Sequence, residues 1–389
     1  MPGSKDPGPF TMEGPEHGTP GAAPKRGLSR RGLLAATGGA LAVPFAWSLL
    51  NERTAEGMAR SRIGVSLAGG EFSSDRPSFS NEQPGTVGQD YTYNSEKSFA
   101  YFSEHGFHLQ RIPFRWERLQ PKPGGALNQS ELGLLRRCAD WAKSNGARLI
   151  LDCHNYARYV MPINGVPTAC ALGERVGKGV PITPEHLTNL WLRISDALGD
   201  HMGIDGWGIM NEPHSLGRIP WKTVSQDVVK ALRADGDTKR IFVGGDGWSN
   251  AQRWADINGS QPWIRDPLGR TVYEAHCYFD SNGSGKYTRS FSKEYDQDPR
   301  MMNRGVERVM PFIDWCRRNR ATGMIGEFGV PANDPAWHEV VKRFMRTLND
   351  AAMEGIYWAG GEWWGNYPLS IQPTRNFSKD SPLLEILQG

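Results

Sequence analysis

The chain has 389 residues, with 45 lysines and arginines against 42 aspartates and glutamates and a formal net charge of +3. No lysine- or arginine-rich block stands in its body, so the charge argues against a nucleic-acid partner. Its length is ample for a large core, and a single α/β barrel with insertions reaches this size. The 14 tryptophans are numerous; many suit a core, but tryptophan is also the side chain that stacks on flat apolar faces. The five cysteines (Cys138, Cys153, Cys170, Cys277, Cys316) form no C-x-x-C pattern, which removes zinc-type spacing. One disulfide is compatible with an exported chain.

Residues 1–60 read as a leader. Met1 to Pro24 is rich in Gly and Pro with little apolar content and is expected to be disordered. The stretch from Lys25 to Leu34 contains Arg30-Arg31 and runs into small and apolar residues from Leu33 to Leu50. That pattern reads as a twin-arginine export signal. A short core helix with a basic cap is the plainer alternative, but the run is isolated between polar segments. No small-x-small cleavage site follows, so the run could stay as an anchor, slightly short of the ~20 apolar residues of a span.

Residues 61–389 alternate strand-like and helix-like stretches. The strand-like runs are Ile63–Leu67, His108–Pro113, Arg148–His154, Gly206–Asn211, Arg240–Gly244, Thr271–His276, Gly323–Glu327 and Gly355–Ala359. Helical patterns stand between several of them, such as Ser130–Asn145 with Ser130 as N-cap and Ala336–Glu354, each ending near a glycine (Gly146, Gly355). Such alternation predicts parallel βα units, and eight of them predict one closed (β/α)8 barrel. A doubly wound open sheet is disfavoured, because no Gly-x-Gly-x-x-Gly follows the first strand. No linker or repeat marks an appended module.

In such a barrel the chemistry sits at the C-terminal ends of the strands. Those ends read Arg111-Ile112-Pro113, Asp152-Cys153-His154-Asn155-Tyr156, Asn211-Glu212, His276-Cys277-Tyr278, Glu327, and Trp358 with Trp363 and Trp364 beyond it. Polar residues at six of eight exits are hard to explain as packing. Glu212 and Glu327 each follow an apolar run. Two carboxylates facing one another suffice to break a glycosidic bond, one protonated as acid and one ionised as nucleophile or base. Arg111 suits holding one of them charged, and Tyr278 could hydrogen-bond the same group. Asn211 could bind a sugar hydroxyl, and Trp358 offers a plate for a pyranose face. Taken singly, Arg111 is equally a structural ion-pair partner, His154 and His276 more often satisfied core histidines, and Trp363 and Trp364 more often core. Asp152 and Glu274 read as supporting, inward-facing residues without an assigned role.

These motifs resemble glycoside hydrolase family 5, within the retaining clan of (β/α)8 hydrolases. The residues that carry the resemblance are Arg111-Ile112-Pro113-Phe114, His154 to Tyr159, Gly208 to His214, His276 to Gly285, Ile325-Gly326-Glu327-Phe328 and Tyr357 to Gly365. The resemblance implies Glu212 as acid/base and Glu327 as nucleophile. It implies Arg111, His154, Asn155, Asn211, His276, Tyr278, Trp358 and Trp363 as substrate-binding or supporting residues. The Asn155–Tyr159 and Asp280–Gly285 pieces look most like microbial endo-β-1,4-glucanases typified by fungal cellulases. That implies a polysaccharide or oligosaccharide substrate of the cellulose type, double displacement, no metal, no cofactor, a monomer, and a secreted, periplasmic or cell-surface enzyme. Two positions depart from that branch: Glu362 stands where a proline is more usual, close to the tryptophans, and Cys277 is atypical. Mannan, xyloglucan or exo-acting hydrolysis stays open. A metal-dependent barrel enzyme using His154, Glu212, His276 and Glu327 is a different class, disfavoured because no His-x-His leaves a strand. A non-catalytic sugar-binding barrel is the third.

Overall fold

The computed structural model describes residues 62–389; the expected leader and export signal, residues 1–60, lie outside the described residues. Ten strands form: β1 (Ile63–Leu67), β2 (Leu109–Phe114), β3 (Arg148–Cys153), β4 (Arg158–Ile163), β5 (Val166–Ala171), β6 (Ile204–Gly208), β7 (Arg240–Gly244), β8 (Thr271–His276), β9 (Gly323–Phe328) and β10 (Glu354–Gly360). Eight of them close a barrel in the order β1-β10-β9-β8-β7-β6-β3-β2, with parallel pairing as the alternation predicts. The expected (β/α)8 barrel is therefore the fold.

The sequence reading missed the other two strands. β4 and β5 make an antiparallel hairpin inserted after β3, turning at Asn164 and Gly165, both with positive φ (52° and 78°). Two successive left-handed residues, Asn-Gly, fit the twist of a two-residue hairpin turn. Helix ends also differ. The helix expected from Ser130 runs Gln129–Ser144, and its cap is Asn128, whose side chain accepts from the Ser130 and Glu131 amides. Ser130 already lies inside the first turn and supplies an N–H instead. The helix expected to reach Glu354 runs Pro335–Asp350; Ala352 turns left-handed (φ 51°), and Gly355 belongs to β10 rather than to a helix end. The fourth barrel strand stops at Gly208, which leaves Asn211 and Glu212 on the loop beyond it.

Side chains alternate in and out along each strand, so the barrel interior fills in layers. Ile150, Phe242, Val272, Met324 and Ile356, with Leu109 against them, form an apolar cluster drawn from six strands. One pleat further along, β2, β3 and β8 place Arg111, Asp152 and Glu274. Around the barrel, a large cluster packs the outer face of the strands against the helices. Seven of the 14 tryptophans, among them Trp191, Trp207 and Trp254, are fully buried there. All five cysteines are buried and unpaired, so the disulfide that export would have allowed is not formed. Among the described residues no helix is long and apolar enough to cross a membrane.

Strand spacing sets one strict requirement at Gly64 of β1. A Cβ there would lie 2.1 Å from the Leu109 carbonyl oxygen of the neighbouring strand. Gly64→Ala is expected to lower stability by about 3 kcal/mol through overpacking, read as a lower midpoint in urea unfolding.

Candidate active site

Arg111, one pleat above the apolar layer, has no solvent exposure. Its Nη1 donates to Glu327 Oε1 (2.8 Å) and its Nη2 to Asn211 Oδ1 (2.7 Å). Nη2 also lies 3.2 Å from Asp152 and 3.6 Å from Glu274. A buried guanidinium is tolerated only when paired in this way.

Glu327 reaches the interior through an irregularity. On β8, Ala275 and His276 are consecutive, but on β9 their partners are Ile325 and Glu327. The extra residue, Gly326, is a bulge, which re-aims the following side chain. Without it the alternation from Met324 would point Glu327 outward. Glu327 accepts from Arg111 and, through Oε2, from the Tyr278 hydroxyl (2.8 Å). Burial pushes this carboxyl up, but the His276 and Arg111 charges and the Tyr278 hydrogen bond outweigh it and hold it below the usual range.

Glu212 stands across the cavity in a left-handed conformation (φ 42°). His276 Nδ1 lies 2.8 Å from its Oε1. Here burial wins over His276 and raises the carboxyl. Its side chain is 19% exposed against 6% for Glu327, so Glu212 is the one more open to an incoming or departing group. One oxygen of each glutamate and one His276 nitrogen lie within 4.8 Å of one another. Two titratable groups pushed apart in one site are the mark of an acid and its ionised counterpart.

Their surroundings push the two histidines in opposite directions. His276 is buried, which disfavours its cation, but Glu327, Glu212 and Glu274 raise it to about 10. His154 is driven well below its ordinary range by burial. Its Nδ1 faces Asp152 (2.9 Å), its Nε2 faces the Tyr156 hydroxyl (3.2 Å), and its ring stacks on Trp358 (centroids 5.4 Å, 15°). Asp152 is itself pushed up to about 7 by burial against the pull of Arg111.

A cavity of about 320 Å³ opens over these groups, lined by His154, Tyr156, Asn211, Glu212, Tyr278, Glu327, Trp358 and Tyr367, with the Ser284–Lys286 turn at its edge. Arg111 and His276 lie just behind that wall. Asn155 is turned away: its side chain accepts from the Trp116 amide (2.8 Å) and donates to Glu117 (2.9 Å), anchoring the start of the β4–β5 hairpin. Trp363 is 43% exposed and is not part of the wall; Trp364 packs instead on Tyr367 (4.1 Å) and edge-on to Trp358 (6.0 Å). Glu362 does not enter the cavity either. Its Oε1 accepts from the Ser95 amide and from the Ser95 and Ser98 hydroxyls (2.6–2.8 Å), capping the helix Glu96–Glu104. Cys277 is buried, its thiol near the Gly305 carbonyl (3.8 Å).

Sequence reasoning overlooked Tyr367 and Glu71, and named Tyr156 at a strand exit without giving it a role. Glu71 follows β1, is buried, and accepts from the Gly69 amide (2.9 Å); burial raises it to about 7. The rule that found Glu212, a carboxylate shortly after a strand, applied to it as well.

Glu212, His276 and Glu327 have the proximity of a metal triad. His276, however, faces carboxylate oxygens from both nitrogens, Nδ1 at 2.8 and 3.5 Å and Nε2 at 3.3 Å. Carboxylate oxygens at both nitrogens favour a proton on each, and a protonated nitrogen offers no lone pair to a cation.

Residues 67–366 match the cellulase family, glycosyl hydrolase family 5. Among curated proteins, endo-β-1,4-glucanase B of Emericella nidulans is 29% identical over 316 residues, 80% of this chain and 86% of that protein. Among solved structures, the endoglucanase Cel5A of Pseudomonas stutzeri in complex with cellobiose superposes with a TM-score of 0.72 at 34% identity, covering 84% of this chain and 91% of that one. An endo-β-1,4-glucanase of Xanthomonas axonopodis pv. citri gives 0.71 at 30% identity, covering 84% and 96%.

The Tyr278 hydroxyl stabilises the ionised form of Glu327, so removing it must raise that carboxyl. In Tyr278→Phe the Glu327 titration, followed by NMR of ¹³C-labelled glutamate, is expected to move up by about one pH unit, the worth of one hydrogen bond to a charged group.

Proposed function

The chain belongs to glycosyl hydrolase family 5, and on that premise we propose that this glycoside hydrolase is an endo-β-1,4-glucanase that cleaves cellulose-like glucans by retaining double displacement. The observation that carries the reading is the glutamate pair, with oxygens within 4.8 Å, one carboxyl raised and the other lowered. Retaining enzymes hold their carboxyl groups ~5–5.5 Å apart, whereas inverting ones need ~6.5–9.5 Å to admit a water.

In the first step Glu327 attacks the anomeric carbon. The C1–Oε bond forms as the glycosidic C1–O bond breaks, and the Glu212 proton passes to the departing oxygen. In the second, Glu212 takes a proton from water, whose oxygen attacks C1 and releases Glu327, leaving the β configuration unchanged. Arg111 and Tyr278 keep Glu327 ionised between turnovers. Arg111 also binds the Asn211 side-chain oxygen and the Asn211 amide nitrogen meets His154 Nε2, which leaves one N–H of Asn211 to donate to a ring hydroxyl. Trp358, backed by the His154 ring, provides the flat face.

The substrate class follows from the likeness to the Emericella, Pseudomonas and Xanthomonas enzymes. Wild type is expected to cut carboxymethylcellulose and cello-oligosaccharides internally, in preference to mannan, with β product first in ¹H NMR of the fresh hydrolysate. Glu212→Gln should lose ~10²–10⁴-fold on these substrates yet keep most of its first-step rate on 2,4-dinitrophenyl β-cellobioside, whose leaving group needs no proton. An α product, or Glu327→Ala at wild-type activity, defeats the mechanism. A chain that turns over mannan alone keeps the chemistry and loses the substrate.

Residues 25–50 support export of the enzyme. A reporter fused behind residues 1–60 is expected outside the cytoplasm, and replacing Arg30 and Arg31 by lysine should retain it inside; export that ignores the pair rules out the twin-arginine route.

A further inference from the structure

Two carboxylates, Asp152 on β3 and Glu274 on β8, each stand two residues before a histidine. A period of two puts carboxylate and imidazole on the same inner face of the barrel. Arg111 lies between the two pairs, its Nη2 3.2 Å from Asp152 and 3.6 Å from Glu274. Each carboxylate meets its own histidine, Asp152 at His154 Nδ1 (2.9 Å) and Glu274 at His276 Nε2 (3.3 Å). The outer partners differ. The far nitrogen of His154 meets neutral groups, the Tyr156 hydroxyl (3.2 Å) and the Asn211 amide (3.4 Å). The far nitrogen of His276 meets Glu212 (2.8 Å) and Glu327 (3.5 Å).

The place of Glu274 is built into the chain beside the nucleophile. A Cβ at position 326 would lie 2.0 Å from Glu274 Oε1. Gly326 is thus both the bulge that turns Glu327 inward and the gap that the Glu274 carboxylate fills.

We infer that Glu274 is a positioning residue: by accepting the Nε2–H of His276 it keeps that imidazole doubly protonated and aims its Nδ1–H between Glu212 and Glu327, so that the two glutamates share one proton. The inference rests on the reading of Glu212 as acid and Glu327 as nucleophile. A neutral imidazole has a single N–H, which could sit on either nitrogen; an anion at Nε2 makes the second proton favourable. The groups facing His276 are Glu212 beyond β6, Glu274 on its own strand and Glu327 on β9, with Arg111 on β2, Asp152 on β3 and His154 just past β3 beyond them. Its carboxylate neighbours hold its titration at about 10 against burial. Glu274 is buried and outside the cavity wall, so it acts through His276 and not on the sugar.

The test follows histidine protonation by ¹⁵N NMR of imidazole-labelled enzyme, together with the pH dependence of kcat/KM on an aryl β-cellobioside. His276 of the wild type is expected to remain an imidazolium at pH 8. Glu274→Gln deletes an anion, so every remaining proton in the cluster is held less tightly. Its His276 titration should fall by more than one pH unit, the alkaline limb of kcat/KM should move to lower pH, and kcat/KM at pH 7 should drop at least tenfold. Glu274→Asp, which keeps the charge, should restore the limb. A wild-type His276 that is neutral at pH 7 overturns the inference without any variant. So does a folded Glu274→Gln protein whose His276 titrates as in wild type, or whose profile falls without shifting. Wild-type turnover in Glu327→Ala would instead remove the assignment of nucleophile while leaving the NMR result standing.

Discussion

A permanent positive charge in the barrel interior sets the terms for everything around it. Arg111 cannot shed its proton in any ordinary range, and it has no water to screen it. The neighbours must adapt instead, and they are carboxylates from three strands, Asp152, Glu274 and Glu327. His276 adds a second cation. Against these two stand Glu71, Asp152, Glu212, Glu274 and Glu327. The two carboxyls held low, Glu274 and Glu327, match the two cations. The other three are pushed up by burial. The upward push on Glu212 is therefore a property of the whole cluster, as expected where several sites interact strongly.

The barrel makes this cluster tolerable by stacking it on a dry floor. The apolar layer of Ile150, Phe242, Val272, Met324 and Ile356 excludes water from one side, which strengthens each charge interaction above it. It also makes every unmatched charge more costly. The regular in-and-out alternation delivers Arg111, Asp152 and Glu274 to one level without special geometry. Glu327 needed more: its strand spends an extra residue, Gly326, to bring the carboxylate inward.

Barrel and glutamate pair were legible because they obey simple periodicities. Each barrel strand was located to within a few residues, and the rule that chemistry sits at strand exits selected Arg111, His154, Asn211, Glu212, His276, Tyr278, Glu327 and Trp358, all of which meet at the cavity or directly behind it. What failed depended on where a loop goes. Asn155 and Trp363 lie beyond strand ends just as Asn211 does, but their loops turn them to the hairpin anchor and to the surface. The role of Glu362 could not be read from its place beside the tryptophans, because its partners, Ser95 and Ser98, lie more than 260 residues away in sequence. Glu71 was passed over because the first strand was searched only for a dinucleotide motif. The β4–β5 hairpin was hidden by its two prolines, Pro162 and Pro167, which are uncommon inside strands and sit opposite one another in the ladder.

Backbone strain gathers around the cavity in a way that bears on its function. Tyr156, Ala157, Glu212, Ser215, Trp248 and Ser249 all adopt left-handed conformations, which cost non-glycine residues free energy and persist only where the surroundings enforce them. The enforcing contacts are visible. The Tyr156 amide donates to the Asn211 carbonyl, the Trp248 amide to the Pro213 carbonyl, and Arg158 Nη1 binds the carbonyl oxygens of Tyr156 and His214 (2.7 and 3.0 Å). These ties line up rings from the cavity outward: Trp358 on His154, His154 against Tyr156, Tyr156 against His214, and His214 stacked on Trp248 (4.3 Å, 14°). Trp248 ends the row 53% exposed. A core would have absorbed that indole; three strained turns hold it out in water on the Glu212 side. Trp358 on the cavity wall and Trp248 at the outer end of the row, with three rings between them, would suit a chain of pyranose faces better than a single sugar, which supports the polysaccharide substrate proposed above.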